Sequence, residues 1–375
     1  MPLTAADAEA LAVLRHQYFQ LLDLALLRWP DPSVLKQADA QSWLFETMFD
    51  RDAVRYCPPE RYQVRVLKQL IARIESAIDN PEEDVGLHTG INQAVKQSIR
   101  ALKEISDDLM SSLSVLLSSS LPSEASAAQK KSYVTYDFGL SRAVTLLESR
   151  NVIASSGTTG LGTWDAALHL GAYLSTSTGS EWVRGKRILE LGAGTGLLSI
   201  LSTKHLDAAQ ATATDGDEGV VDAIKTNLFL NELDGKNTDA VVLRWGRTLS
   251  GTIYYDGDDK DSTSNDQYDV ILGADVTYDR FAIPRLVSTL DELLERQPKL
   301  DVLIAATIRN EQTFEAFNVA SSRHRLRLAD VPFTPSPVST QTGPFYTTAT
   351  PMRILHVTRA AAAPAARADA FALSK

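Results

Sequence analysis

The sequence holds a single cysteine, Cys57, among 375 residues. One cysteine excludes an internal disulfide, and no cluster of cysteine and histidine has the spacing of metal ligands, so we predict no metal site and a reducing compartment. Uninterrupted apolar runs are also missing, because Arg15, Asp23 and Arg28 break the apolar stretch at residues 11–29. That interruption predicts a soluble helix instead of a membrane span or a signal peptide, and we expect a cytosolic protein with no membrane partner.

Basic residues are too few for a general nucleic-acid binder. Lysine and arginine number 37 against 47 aspartate and glutamate residues, which gives a net charge of −10 and a pI near 5.2. Because neutralising phosphates requires a basic stripe, we expect no nucleic-acid partner. An apolar content of 44% is that of an ordinary globular protein, and 375 residues exceed what one core usually organises.

The chain divides into two parts by pattern. In the first hundred residues, apolar side chains recur at steps of three and four, as a helix with one buried face requires. They are Val64, Leu67, Ile71, Ile74 and Ile78. Serine and alanine dominate residues 110–131, which is typical of a flexible connection or a loose helix end. We therefore predict a helical N-terminal domain and linker at residues 1–130 and a second domain at residues 131–375.

Strands and helices alternate in the second domain. From Lys186 onward seven strand patterns are separated by helical ones, and this rhythm predicts an α/β fold with a parallel sheet covered by helices on both faces. The predicted strands begin near residues 187, 209, 240, 268, 301, 326 and 352, and the predicted helices occupy residues 166–173, 197–205, 218–233, 283–296 and 311–320. The acidic insertion at 251–267 predicts a surface loop, and the alanine-rich tail from Ala360 is expected to fray.

A glycine turn follows the first of these strands and is the most informative motif. Glycines stand at positions 192, 194 and 196, and without Cβ atoms they let a ligand approach the backbone amides. A dinucleotide fingerprint would place a third glycine at Leu197, so the spacing differs from that of a nicotinamide site. Glu190 would repel a pyrophosphate but suits the cationic amino-acid end of S-adenosylmethionine. The turn therefore predicts an S-adenosylmethionine site that includes Glu190, Gly192 and Gly194.

The second predicted strand ends in a carboxylate, Asp215. It lies 19 residues beyond Gly196, close to the spacing of about 20 residues at which a second-strand acid hydrogen-bonds ribose hydroxyls. With a glycine turn before it, we predict that Asp215 binds the ribose of the cofactor. The alternative is a solvated turn residue or a helix N-cap beside Asp217 and Glu218.

A second chemical group follows the strand that ends at Ala274. Because ligands bind beyond the carboxyl ends of strands in an open parallel sheet, Asp275 and Tyr278 are predicted to face the cleft as catalytic residues, with the Ala274 backbone near the cofactor. Methyl transfer to a lysine is a direct displacement on a sulfonium, so an enzyme must hold a neutral amine in line with the methyl group. A carboxylate and a phenol can orient that amine and offset its new positive charge. The alternative is that Asp275 caps the next turn and Tyr278 packs a loop.

Two tryptophans complete the candidate cofactor site. Trp245, at the end of the third predicted strand, is predicted to pack against the adenine ring, although a tryptophan there also suits the core. Trp164 stands in a loop rich in glycine and threonine, residues 157–165. That loop either closes over the methionine end of the cofactor or starts a helix with Thr163 as the N-cap.

These motifs resemble those of the seven-strand protein lysine methyltransferases, in which Asp-x-x-Tyr after the fourth strand is the hallmark. The matching positions are 190–196, Asp215, Trp245-Gly246 and 275–278. Within that group, residues 133–136, 143–151 and 156–170 are similar to the eukaryotic elongation factor 2 lysine methyltransferases, which also carry a helical N-terminal region. The resemblance implies a Rossmann-like sheet and transfer of methyl groups from S-adenosylmethionine to one lysine of a protein partner, elongation factor 2.

The residues themselves leave other functions open. The same pattern suits a non-catalytic adaptor with a relic cofactor pocket, a methyltransferase acting on another protein, or a nicotinamide-dependent oxidoreductase. Leu197 disfavours the last of these. The resemblance does not extend to the acidic insertion at 251–267 or to the alanine-rich tail.

Overall fold

The structure of the chain is a computed structural model that describes residues 3–78, 104–120, 123, 130–149, 160–247, 249, 253 and 268–360. Several predictions lie wholly or partly outside these ranges. They concern residues 121–122 and 124–129 of the predicted linker, residues 150–151 and 156–159, all of the insertion at 251–267 except residue 253, and the tail from residue 361.

Helices build the N-terminal region within the described residues: α1 Ala5–Phe19, α2 Pro32–Leu35, α3 Ala38–Leu44, α4 Glu60–Ile78 and α5 Asp107–Ser118. The helix predicted from the apolar steps is confirmed by α4, which buries Leu67 and Ile74. A continuous helix across residues 11–29 is wrong, because α1 ends at Phe19 and Leu21 then adopts a left-handed backbone with φ +58°. Residues 110–131 were predicted as a flexible connection or a loose helix end, and as far as Ser118 they belong to the helix α5, which packs on α4.

A two-stranded hairpin follows, which the sequence analysis did not predict. Its strands are β1 Lys131–Asp137 and β2 Ala143–Ser149, paired antiparallel. Alternate residues of each strand are buried, but the buried set includes the polar Ser132 and Glu148 beside Val134 and Leu146. The apolar alternation is therefore too weak to reveal these strands by periodicity.

Seven strands form the large sheet in the described part of the chain: β3 Arg187–Leu191, β4 Gln210–Asp215, β5 Thr238–Val242, β6 Val270–Ala274, β7 Asp301–Thr307, β8 Leu326–Val331 and β9 Met352–Arg359. Their order across the sheet is β5-β4-β3-β6-β7-β9-β8. The first five are parallel, and β9 runs antiparallel between β7 and β8. The seven-strand prediction is confirmed, except that the third strand ends at Val242 and leaves Trp245 in the following turn.

Helices cover both faces of this sheet, as predicted: α6 Asp165–Leu174, α7 Ser177–Ser180, α8 Leu197–His205, α9 Glu218–Leu230, α10 Ile283–Arg296 and α11 Glu311–Arg323. Successive strand residues alternate between two apolar cores. In β3, Ile188 faces the core that contains α6, α8 and α9, whereas Leu189 and Leu191 face α10 and α11. Because the strand order reverses between β3 and β6, a crevice opens at their carboxyl ends.

The N-terminal helices pack on the first of these cores through the hairpin, since β1 contacts α1 and β2 contacts α8 and α9. Hydrogen bonds also tie them to the segment between β8 and β9. The Phe345 amide donates to Gln20 Oε1 at 2.8 Å, and Arg28 Nη1 donates to the Ser339 carbonyl oxygen at 2.7 Å. The domain boundary predicted at residue 130 stays a prediction. Among the described residues, no helix is both long and apolar enough to cross a membrane.

Candidate active site

The glycine turn joins β3 to α8 with left-handed backbone at all three glycines. The φ angles are +63° at Gly192, +54° at Gly194 and +81° at Gly196. At Gly192 the space for a side chain is already filled, because a Cβ atom would lie 2.9 Å from Cγ1 of Val276 and 3.1 Å from Cζ2 of Trp245. The Ala193 amide donates to the Thr214 carbonyl oxygen at 2.8 Å, which fixes the turn to β4. Only glycine meets both the angle and the close approach at position 192.

A cavity of about 550 Å³ opens at the carboxyl ends of β3, β4 and β6. Small-molecule sites commonly measure roughly 300–1,000 Å³. Eight of the nine predicted site residues line it: Trp164, Gly192, Gly194, Asp215, Trp245, Ala274, Asp275 and Tyr278. The glycine turn and the Asp-x-x-Tyr segment, separated by about 80 residues in the chain, therefore meet in one cavity.

Asp215 lies at the cavity wall, where β4 ends. Its carboxylate accepts hydrogen bonds from the amides of Gly194 at 3.3 Å and Asp217 at 3.2 Å. Burial raises the pKa of Asp215, while these amide hydrogen bonds lower it. The N-cap of α9 is Asp217, whose side chain accepts from the Val220 amide at 3.0 Å. The alternative of an N-cap at position 215 is therefore wrong.

Glu190 is the one predicted cofactor residue that the structure does not bring to the cavity. It lies on the same face of β3 as Ile188, under the first turn of α8, where its carboxylate accepts from the amide of Ser199 at 2.8 Å and the hydroxyl of Ser199 at 2.6 Å. Burial raises its pKa to about 7, although the hydrogen bonds from Ser199 act in the opposite direction. Glu190 therefore holds the start of α8 and does not line the cavity, in contrast to the direct cofactor contact expected from the sequence; its role toward the cofactor stays a prediction.

The two tryptophans line the cavity from different elements. Trp245 lies three residues past β5, beside Gly246, whose amide donates to the Thr289 hydroxyl at 2.9 Å. Trp164 immediately precedes α6. Thr163 does not cap that helix, because its hydroxyl donates to Glu148 Oε1 at 2.6 Å, so the N-cap alternative is wrong.

Asp275 is held in an unusual backbone conformation for a residue other than glycine, with φ +55°. Its amide donates to the Ala305 carbonyl oxygen at 2.8 Å, and its carboxylate is nearly buried. Arg309 Nη1 donates to both carboxylate oxygens, at 2.8 and 3.1 Å. Tyr278, three residues on, is 60% exposed at the cavity mouth. A buried carboxylate and an exposed phenol thus share one wall, an arrangement that can orient an incoming amine.

Sequence reasoning missed Arg309 and Glu148. Arg309 follows β7, so its place at the cavity edge required knowledge that β7 neighbours β6. The buried Glu148 of β2 accepts from Thr163, whose hydroxyl lies 2.7 Å from that of Thr195 in the glycine turn. Burial raises the pKa of Glu148, while the hydrogen bonds from Thr163 lower it. The hairpin thereby supports the glycine turn from behind, and the only sequence signal was the resemblance of residues 143–151 and 156–170 to one family.

Comparison with known proteins identifies the family. A sequence model described as "Lysine methyltransferase" matches residues 149–323. The chain is 41% identical to the protein-lysine N-methyltransferase EFM3 of Chaetomium thermophilum, over 92% of this chain and 96% of that protein. Identity is 33% to EFM3 of Saccharomyces cerevisiae, over 57% of this chain and 62% of that protein. The chain is also 31% identical to the protein-lysine N-methyltransferase EEF2KMT of Homo sapiens, over 56% of this chain and 63% of that protein.

The similarity to the Chaetomium protein spans 92% of this chain, so it extends well beyond the residues of the large sheet. It confirms the resemblance seen in the motifs and removes the oxidoreductase alternative. The chain therefore belongs to the protein-lysine methyltransferase family.

Proposed function

We propose that this methyltransferase uses S-adenosylmethionine, bound in the cavity beyond β3 and β6, to methylate one lysine of elongation factor 2. The observation that carries the proposal is the convergence of the glycine turn, Asp215 and the Asp-x-x-Tyr segment on one cavity. This cavity lies at the point where the strand order reverses, which is where open α/β sheets bind ligands.

The residues present fit the cofactor. At Gly192 the turn leaves no room for a side chain beside Val276 and Trp245, and both Gly192 and Gly194 line the cavity. We assign the ribose hydroxyls to the carboxylate of Asp215, the adenine ring to Trp245, and the methionine end to the turn and Trp164. When bound, the sulfonium supplies an electrophilic methyl carbon.

The chain's own contribution is to hold the target amine in line with that carbon. Asp275 and Tyr278 orient the amine, and the Asp275 carboxylate offsets the positive charge that the nitrogen acquires. The lysine ammonium first loses a proton to water. Its nitrogen then forms the N–C bond as the S–C bond breaks, and the electron pair of the broken bond stays on sulfur.

Two observations support elongation factor 2 as the substrate. Residues 133–136, 143–151 and 156–170 resemble the elongation factor 2 lysine methyltransferases, and the described part of these segments forms the hairpin and the start of α6. The similarity to EFM3 of Chaetomium thermophilum also spans 92% of this chain, more than the catalytic sheet alone, and the N-terminal helices provide further surface for a large folded substrate. A cytosolic location, as predicted from the sequence, accompanies this substrate.

The test is incubation with methyl-labelled S-adenosylmethionine and purified elongation factor 2. We expect label on one lysine, loss of labelling in Asp275→Ala, and normal labelling in Asp222→Ala, whose exposed carboxylate on α9 lies outside the cavity lining. Unlabelled elongation factor 2 with label on another lysate protein would refute the substrate alone. Cofactor binding in calorimetry with no labelled protein at all would refute catalysis and favour the adaptor.

A further inference from the structure

Arg309 joins two walls of the cavity. It lies two residues beyond β7, and its Nη1 atom donates to both carboxylate oxygens of Asp275. Its guanidinium carbon also lies 5.3 Å from the ring centroid of Trp164, within range of a cation–π contact. A single cation therefore contacts both the carboxylate assigned to the target amine and the aromatic ring assigned to the methionine end.

The backbone on either side of this pair is fixed. Strands β6 and β7 are parallel neighbours, with Ala274 opposite Ala305, and the Ala305 carbonyl accepts the Asp275 amide at 2.8 Å. The Ile308 amide donates to the Pro351 carbonyl oxygen at 2.8 Å, which ties the chain before Arg309 to the start of β9. The ion pair thus spans two anchored strand ends and does not depend on a mobile surface contact.

Other charged groups face the pair. Asp165, at the start of α6, has its pKa raised by burial, lowered by the Arg309 charge and raised by the Asp275 charge. The pKa of Tyr346 is raised, mainly by burial and secondly by the negative charge of Asp165. The same cavity is also lined by Asp215, Arg244, Tyr278 and Arg285. Two carboxylates, Asp165 and Asp275, therefore share the field of Arg309.

This placement bears on how the target lysine loses its proton. A lysine arrives as an ammonium with an ordinary pKa of about 10.4. A lone carboxylate beside it favours the charged form and raises that pKa, commonly by about 1–3. A cation bound to the same carboxylate opposes this effect.

We propose, on the basis of the proposed function, that Arg309 is a positioning residue that holds Asp275 in place and offsets part of its negative charge. The site then orients the target amine without trapping it as an unreactive ammonium. The proton leaves to water, and the methyl transfer itself is unchanged.

The test compares the pH dependence of kcat and KM for the unaltered protein, Arg309→Gln and Arg309→Lys from roughly pH 7 to 11, a range that includes the ordinary lysine pKa of about 10.4. Removing the charge in Arg309→Gln is expected to move the midpoint of the kcat profile about one pH unit higher. Below both midpoints kcat falls about tenfold, because one pH unit is a tenfold change in the neutral amine. Towards pH 11 the gap narrows to about threefold, because the amine in the unaltered protein has then passed its midpoint near the ordinary lysine value of about 10.4. KM does not rise, and Arg309→Lys stays near the original midpoint.

Arg353→Gln is the matched control. Arg353 also pairs with a carboxylate, Asp330, and lies 5.1 Å from the ring of Phe314, but it does not line the cavity. Its exposed fraction, 42%, equals that of Arg309 at 43% within rounding. We expect no change of midpoint in this variant. Thermal melting verifies that each variant folds, and Arg309→Met replaces Arg309→Gln if the latter melts early.

Two results would overturn the inference. If the factor by which Arg309→Gln lowers kcat does not narrow towards pH 11, and Arg309→Lys restores no activity, the arginine only supports structure, and the proposed function stands. If the unaltered protein methylates no protein lysine, the proposed function and this inference fall together.

Discussion

Replacing Glu190 by glutamine is expected to stabilise the protein above neutral pH. The carboxyl group is buried under the first turn of α8, and burial raises its pKa in the folded protein to about 7 from an ordinary value of 4.5. Glutamine keeps a side-chain oxygen that can accept the amide and hydroxyl hydrogen bonds of Ser199 but cannot ionise. The replacement therefore removes the cost of burying a charge while retaining the acceptor that holds the helix start.

The sign and size of the expected stability change follow from the linkage between proton binding and folding. Below pH 4.5 the carboxyl group is protonated in both states, so it adds no pH dependence. Between pH 4.5 and about 7 the unfolded chain releases the proton and the folded protein keeps it, so stability falls as the pH rises. The gap of about 2.5 pH units, at about 1.4 kcal/mol for each, amounts to about 3 kcal/mol of stability lost by pH 8.

Urea unfolding of the unaltered protein and Glu190→Gln at pH 5, 6, 7 and 8 measures this pH-dependent loss of stability directly. The free-energy difference between the two proteins is expected to grow in favour of glutamine by about 2.5 kcal/mol over that range, because part of the loss has already occurred by pH 5. The same replacement at the exposed Glu181 serves as the control for the change of side chain. A constant difference for Glu190→Gln would refute the reasoning, because it would mean that this carboxyl group ionises alike in both states.

Three further predictions concern the cavity. Gly192→Ala is expected to abolish S-adenosylmethionine binding in calorimetry while the protein still folds, since its Cβ would crowd Trp245 at the wall; undiminished binding would place the cofactor elsewhere. Asp215→Asn is expected to raise the calorimetric dissociation constant about 10- to 100-fold, because a hydrogen bond to a charged acceptor contributes about 1.5–3 kcal/mol; an unchanged constant would contradict the ribose role. Phe281→Ala, whose ring is 87% exposed one residue before the cavity lining, is expected to raise KM for folded elongation factor 2 without altering cofactor binding. Phe229→Ala, which removes a ring that is 64% exposed on α9, should leave KM unchanged. Equal effects of the two substitutions would argue against a docking role for Phe281.

Apolar periodicity was sufficient to predict the second half of the fold. A sheet buried on both faces needs apolar strands, and amphipathic helices must cover it, so most elements carry a strong pattern, with β4 and its alternating alanine and threonine as the weak one. The helix predicted at 283–296 and the strand predicted at 301–307 match α10 and β7 at both ends. The hairpin escaped because polar side chains, Ser132 and Glu148, occupy part of its buried face.

Residue roles at the site were only partly accessible from sequence. The carboxyl ends of parallel strands meet at one edge, so Asp215 and Asp275 were expected near each other without a structure. Glu190 shows the limit of this argument, because a residue beside the turn in sequence points away from the cavity when it lies on the other strand face. Arg309 required the strand order, since no motif connects the end of β7 to Asp275.

Gln20 and Arg28 form hydrogen bonds with the segment between β8 and β9, so the N-terminal region is synthesised long before its contacts can all form. These side chains leave the ribosome first, yet their partners, Phe345 and Ser339, follow more than 300 residues later. The nascent N-terminal helices must therefore wait, with apolar surface uncovered, until nearly the whole catalytic sheet has emerged. We expect the growing polypeptide to depend on chaperone protection throughout that interval.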